Sequence, residues 1–170
     1  MLSPCDNTEF DDTIQKYHTQ YGLPNDWRLI KAQLFQESRL ECDAASPVGA
    51  VGLAQFMPDT WTEYVGKCSL PHGTKRTDAT ASIKCCCAYM SDLLRQWKAP
   101  RSDEDRYNLA LASYNAGLGN ILKAQKMAKN SPDYDKIISH LIFVTGQENA
   151  KQTRDYITKI RLYHQQLLGK

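Results

Sequence analysis

Helical spacing runs through this chain almost from end to end while alternating β-branched runs are scarce, and that imbalance leaves few folds open. Thr8 to Tyr21 reads as a first helix, stopped by Gly22 and by the turn Pro24-Asn25-Asp26, which starts a second helix wound from Trp27 to Glu41. Pro58-Asp59-Thr60 opens a short helix through Trp61 and Tyr64, and Gly66 to Arg76, with Pro71, Gly73 and basic residues, reads as an exposed loop. A helix from Ala79 to Trp97 follows, broken at Pro100-Arg101. Ser102 with Asp105 forms a capping box for a helix that ends at Gly117. Further helical stretches are expected over 118–129, 133–144 and 148–168, and no repeat or low-complexity tract interrupts them. The expectation is an all-α, mainly helical domain, with a small irregular or β-like element in the Gly-rich stretch 42–58. A chain of 170 residues buries roughly 70% of its unfolded surface, so one core and a single domain over 1–170 are expected.

Charge and apolar runs remove several function classes. The formal net charge of +2 is too small to argue for nucleic acid, and basic-aromatic interleaving is missing. No apolar run approaches the roughly 20 residues that span a bilayer, so no integral membrane segment is expected. The start, Met1-Leu2-Ser3-Pro4-Cys5-Asp6-Asn7, has neither a basic opening nor an apolar stretch, so no signal peptide is visible and export is expected to use another route. The distribution of charge is uneven: residues 1–50 carry eight acids against four Lys or Arg, and residues 121–170 carry nine Lys or Arg against four acids. The C-terminal helices should therefore be positive, either as an ordinary solvated face or as a surface drawn to an anionic polymer such as a bacterial cell wall.

The six cysteines do not read as a metal site. Cys85, Cys86 and Cys87 are consecutive in an expected helix, so their side chains point roughly 100° apart and cannot converge on one ion. His18, His72, His140 and His164 are scattered. Two readings stay open: buried free thiols, or one to three disulfides joining Cys5, Cys42 and Cys68 to the triplet.

Glu37 is the most pointed candidate for chemistry. Winding Trp27 to Glu41 at roughly 100° per residue groups Trp27, Leu29, Ile30, Leu34 and Leu40 with Glu37, and sets Arg28, Lys31 and Arg39 opposite. A carboxyl group on a core-facing side loses hydration and tends to hold its proton, which suits a general acid. The segment that follows, Ser46-Pro47-Val48-Gly49-Ala50-Val51-Gly52-Leu53-Ala54-Gln55-Phe56-Met57-Pro58, is small and Gly-rich, a composition that lets backbone approach a ligand. Gln55 offers a hydrogen-bonding amide and Met57 an adaptable apolar contact, a pair suited to a sugar ring.

The ordered blocks Glu37-Ser38, Ser46-x-x-Gly49-Ala50-x-Gly52-Leu53-x-Gln55-x-Met57-Pro58, Ala112-Ser113-Tyr114-Asn115-Ala116-Gly117 and Gln152-Thr153-Arg154-Asp155-Tyr156 resemble the soluble-type lytic transglycosylase family. Its catalytic domain is similar to goose-type lysozyme. The resemblance spans about 26–162 and implies a lysozyme-like domain with a substrate cleft, acting on peptidoglycan without metal or cofactor. By position it implies Glu37 as the sole catalytic acid and base. Ser46, Gln55 and Met57 match the sugar groove, Tyr114 and Asn115 the motif facing the acid, and Tyr156 a residue closing the cleft. Phe56 stands where an aliphatic residue is usual, Gln152 where Glu is, and Ser113 where Ala is common. These departures bear on subsite preference.

Glycosidases ordinarily use two carboxyl groups, about 5–5.5 Å apart for retention or about 6.5–9.5 Å for inversion. The blocks supply one. The family's reaction needs no second: the N-acetyl group of muramic acid stabilises the cation and its 6-hydroxyl closes onto C1, leaving a 1,6-anhydro end. A hydrolytic muramidase using Asp43, Asp59 or Glu41 is the near rival, and a non-catalytic peptidoglycan-binding module a more distant one. A minimal domain of this kind, expected to be monomeric, resembles a bacteriophage endolysin made in the host cytoplasm. A truncated periplasmic or secretion-system enzyme is the alternative, which the cysteines favour.

Overall fold

The computed structural model describes residues 3–169. Met1 and Leu2, part of the stretch read for an export signal, lie outside the described residues, as does Lys170. The chain divides into two compact units: described residues through Ser91 together with those from Ile160 onward, and Asp92–Lys159.

The first unit contains α1 (Asp11–Gln20), α2 (Arg28–Ser38), α3 (Pro58–Lys67), the start of α4 (Ala79–Gln96) and the end of α9 (Gln147–Leu168). Helix α1 starts three residues later than the sequence suggests, because Thr8 and Asn7 form a turn that bonds Asp11 N and Glu9 N first. Helix α2 departs more. It stops at Ser38, where Arg39 (φ 58°) and Leu40 (φ 64°) turn left-handed in succession. Leu40 is buried by that turn and not by helical register.

Nor is α2 two-faced. Leu29, Ile30, Ala32, Leu34 and Phe35 are buried, and so are Lys31 and Gln33. A helix buried on most of its sides is a central strut of its core. Lys31, expected on the solvent side, is 2% exposed and pairs with Asp11 Oδ1 at 2.6 Å. The expected arc failed because a partner twenty residues upstream, absent from the helix pattern, makes burial of an ammonium tolerable.

Helix α3 opens with Pro58 in its first turn, with Asp59 beside the positive helix end. Asp78 caps α4 by accepting from Ala81 N at 2.8 Å. All six cysteines are free thiols in this structure. Cys68, Cys85, Cys86 and Cys87 are buried.

The second unit holds the rest of α4 and α9 with α5 (Asp103–Ala116), α6 (Leu118–Met127), α7 (Tyr134–Ser139) and α8 (Ile142–Thr145). Ser102 caps α5 through Asp105 N at 3.0 Å, and Gly117 ends it at φ 85°. The expected single stretch over 133–144 is two short helices. Ser139 Oγ donates to Lys136 O at 2.8 Å and the His140 ring lies 2.7 Å from the same carbonyl, so side chains take the place of the next helical turn. Among the described residues β structure is limited to the isolated bridges Ala45–Val51 and Val51–Phe56, inside the stretch expected to be irregular. No helix among the described residues is long and apolar enough to cross a membrane.

Candidate functional site

In the first unit, Glu37 occupies the last turn of α2 and is half-buried, less enclosed than its expected place in the apolar arc. Ser38 beside it is buried and donates its hydroxyl to Leu34 O at 3.2 Å. Arg39 is anchored by Tyr163, whose hydroxyl accepts from Nη1 at 2.8 Å, and its guanidinium lies 4.7 Å from the Phe35 ring centre. The chain therefore leaves α2 along a fixed path immediately after Glu37.

The Gly-rich segment is a tightly braced wall. Ser46 accepts from Ala50 N through its side chain at 2.9 Å, and Ser46 N donates to Ala50 O at 2.9 Å, closing a turn that leaves Val48 77% exposed. Gln55 sits in the left-handed region (φ 49°), and its amide nitrogen donates to Ala44 O and Gly52 O, each at 3.0 Å. The side chain expected to offer a sugar both donor and acceptor thus spends its donor on the wall. Phe56, where an aliphatic residue is usual, is buried with the rings of Trp61, Tyr64 and Tyr89. Met57 is 43% exposed, as an apolar ligand contact needs to be.

Arg76, which the sequence reading left in an exposed loop, is the residue that fixes this wall. Its Nη1 donates to Gly49 O at 2.7 Å and to Phe56 O at 2.8 Å, tying both arms of the segment. Its own carbonyl presses on Gly52, where an added Cβ would lie 2.0 Å from Arg76 O at φ 86°. Gly52 is therefore glycine for backbone approach to the protein's own loop. Nothing local marks Arg76: the signal is a non-local backbone contact.

The rival carboxylates Glu41, Asp43 and Asp59 are all exposed. Among the described residues no cluster of His, Cys, Asp and Glu could hold a metal ion.

In the second unit, Tyr114 and Asn115 lie in the last turn of α5, above a buried Ser113 that donates to Leu109 O at 2.7 Å. Thr153, buried, donates to Asn115 Oδ1 at 2.9 Å and so orients that amide. Sequence reading quoted Thr153 within a block and gave it no part. Tyr156, buried, is one turn further along α9. Asn115, Asn120, Asn149 and Gln152, with Thr145 and Thr153, line an open pocket of about 230 Å³. Amide side chains in that number suit an uncharged polar ligand.

Known proteins are similar to this chain in sequence and in fold. Membrane-bound lytic murein transglycosylase F of Mannheimia succiniciproducens is 35% identical over 123 residues, covering 71% of this chain and 24% of that protein. The protein of the same name from Shewanella denitrificans is 30% identical over 175 residues, covering 93% and 34%. The chain spans about a quarter to a third of the length of these relatives. Its mainly helical fold matches that of the 70 kDa soluble lytic transglycosylase of Escherichia coli, with a TM-score of 0.71 at 25% identity over 91% of this chain and 23% of that one. An inactive Glu-to-Gln variant of the lytic transglycosylase Slt from Pseudomonas aeruginosa matches at 0.71, with 27% identity over 94% and 24%. None of these relatives comes from a bacteriophage, and the endolysin expectation draws no support from them. The transglycosylase SLT domain matches residues 12–137, which makes this chain a member of that family.

Proposed function

We propose that the chain is a peptidoglycan lytic transglycosylase that cleaves the β-1,4 bond from N-acetylmuramic acid to N-acetylglucosamine, with Glu37 as its single general acid and base. The observation that carries this reading is the family match together with a half-buried Glu37 at the end of α2. Glu37 gives its proton to the glycosidic oxygen as the C1–O bond breaks. The substrate's N-acetyl oxygen supports the developing cation. The 6-hydroxyl then closes onto C1 while Glu37 takes up its proton, so no second carboxylate is required and a 1,6-anhydro end results. The exposure of Glu41, Asp43 and Asp59 supports this over a hydrolytic muramidase.

Ser46, Gln55 and Met57 are proposed to contact the glycan, the first two mainly by holding the wall in shape. Tyr114, Asn115 and Tyr156 are proposed to hold the sugar, with Thr153 positioning Asn115. Residues 1–170 are proposed to act as one monomeric catalytic domain. Relatives named as membrane-bound murein enzymes support action at the bacterial cell wall. Glu37→Gln should reduce release of muropeptides from purified wall by at least about 100-fold with an unchanged circular dichroism spectrum. Mass spectrometry of the wild-type products should show anhydro ends, and reducing ends would establish hydrolysis instead.

A further inference from the structure

The cysteine cluster of the first unit has no part in the proposed reaction. Cys68 caps the end of α3, and Cys85 lies in the second turn of α4. Both are buried, at 3% and 0% exposure. The Cys68 sulfur accepts a hydrogen bond from Tyr21 Oη at 3.3 Å and lies in side-chain hydrogen-bond contact with Cys85. The backbone at Cys68 is clamped as well: Lys84, the residue before Cys85, donates from Nζ to Cys68 O at 2.8 Å. Two thiols from separate helices are thus held side by side, and Cys86, roughly 100° further round α4, is turned away from this pair.

We propose that Cys68 and Cys85 are a disulfide site, closed when the chain folds in an oxidising compartment. While both thiols are still open to solvent, Cys68 loses its proton and is the attacking atom. Its thiolate breaks the S–S bond of a small-molecule disulfide, forming a mixed disulfide and releasing one thiol. Cys85, after losing its proton, then attacks the Cys68 sulfur and expels the second thiol. Two electrons and two protons pass from the cysteine pair to the donor. Burial pushes the Cys87 thiol up, and the hydrogen bond to Cys68 together with burial pushes Cys85 up, so the finished fold resists oxidation. Bond formation therefore belongs to folding, before the core closes, and the bond ties the loop between α3 and α4 that carries Arg76. This site is independent of the glycan chemistry assigned to Glu37.

The test refolds the full chain from denaturant with oxidised glutathione, alkylates the remaining thiols and maps tryptic peptides. Expected is a species lighter by two hydrogens in which the peptide beginning at Cys68 is joined to the one beginning at Cys85. The link should survive in C86A/C87A and vanish in C85A. The oxidised chain should melt roughly 5–10 °C above its reduced form. Recovery of Cys68 and Cys85 both alkylated overturns the proposal, as does a bond from Cys68 to Cys42, Cys86 or Cys87.

Discussion

Helices α2 and α5 occupy matching roles in their respective units and solve the same problem by opposite means. Each has a long buried run and carries a family block in its last turn: Glu37-Ser38 in α2, Tyr114-Asn115 in α5. Each has a buried serine in that turn whose hydroxyl returns to the carbonyl four residues back. The ends then diverge. Helix α5 closes on Gly117, which takes a positive φ without strain from a side chain, whereas α2 closes on Arg39 and Leu40, both left-handed. The interiors diverge too: each buries one amide, Asn108 in α5 and Gln33 in α2, but only α2 buries an ammonium as well. A helix end can present functional side chains by conformational permission or by anchoring contacts, and the second route ties the site to distant residues.

The largest effect should come from removing the charge that makes Lys31 tolerable. Asp11→Asn leaves a buried cation without its counter-charge and should cost about 2–4 kcal/mol, read as a lower urea midpoint. A cost near zero would show that α2 does not depend on Asp11. Gly117→Ala meets no atom within 4 Å, so its cost is purely conformational, about 1–3 kcal/mol. If the midpoint is unmoved, α5 does not owe its ending to glycine. Gln33 is fully buried, and neither amide atom has a hydrogen-bond partner among the described residues. Gln33→Met, of similar volume, should therefore raise stability by about 1–2 kcal/mol, and a loss instead would reveal a hidden partner for that amide. The smallest effect is expected from Arg39→Gly: relief of roughly 1 kcal/mol of left-handed strain is offset by loss of the Tyr163 bond at 2.8 Å. A gain well above about 1 kcal/mol would mean that the anchor contributes nothing.

What could be read in the sequence was what neighbours in the chain decide. The cap at Ser102 and the stop at Gly117 rest on residues within one turn, and both are present as read. The irregular character of 42–58 follows from its glycines, and its two isolated bridges agree. The orientation of α2 was misread because Lys31 answers to Asp11, and its length because Arg39 answers to Tyr163. In the candidate site, Gln55 was expected to offer its amide to a sugar, yet its donor is bonded within its own segment. Thr153 and Arg76 went unassigned since each acts on a segment far away in sequence.

The grip of Arg76 on Gly49 and Phe56, with its carbonyl against Gly52, gives the preceding loop a fixed span. Surface connections of this kind usually tolerate insertion and trimming. This one does not have that freedom. Anyone building chimaeras from members of the family would have to transplant the arginine in register with the two glycines, or accept a segment that has come loose from its brace.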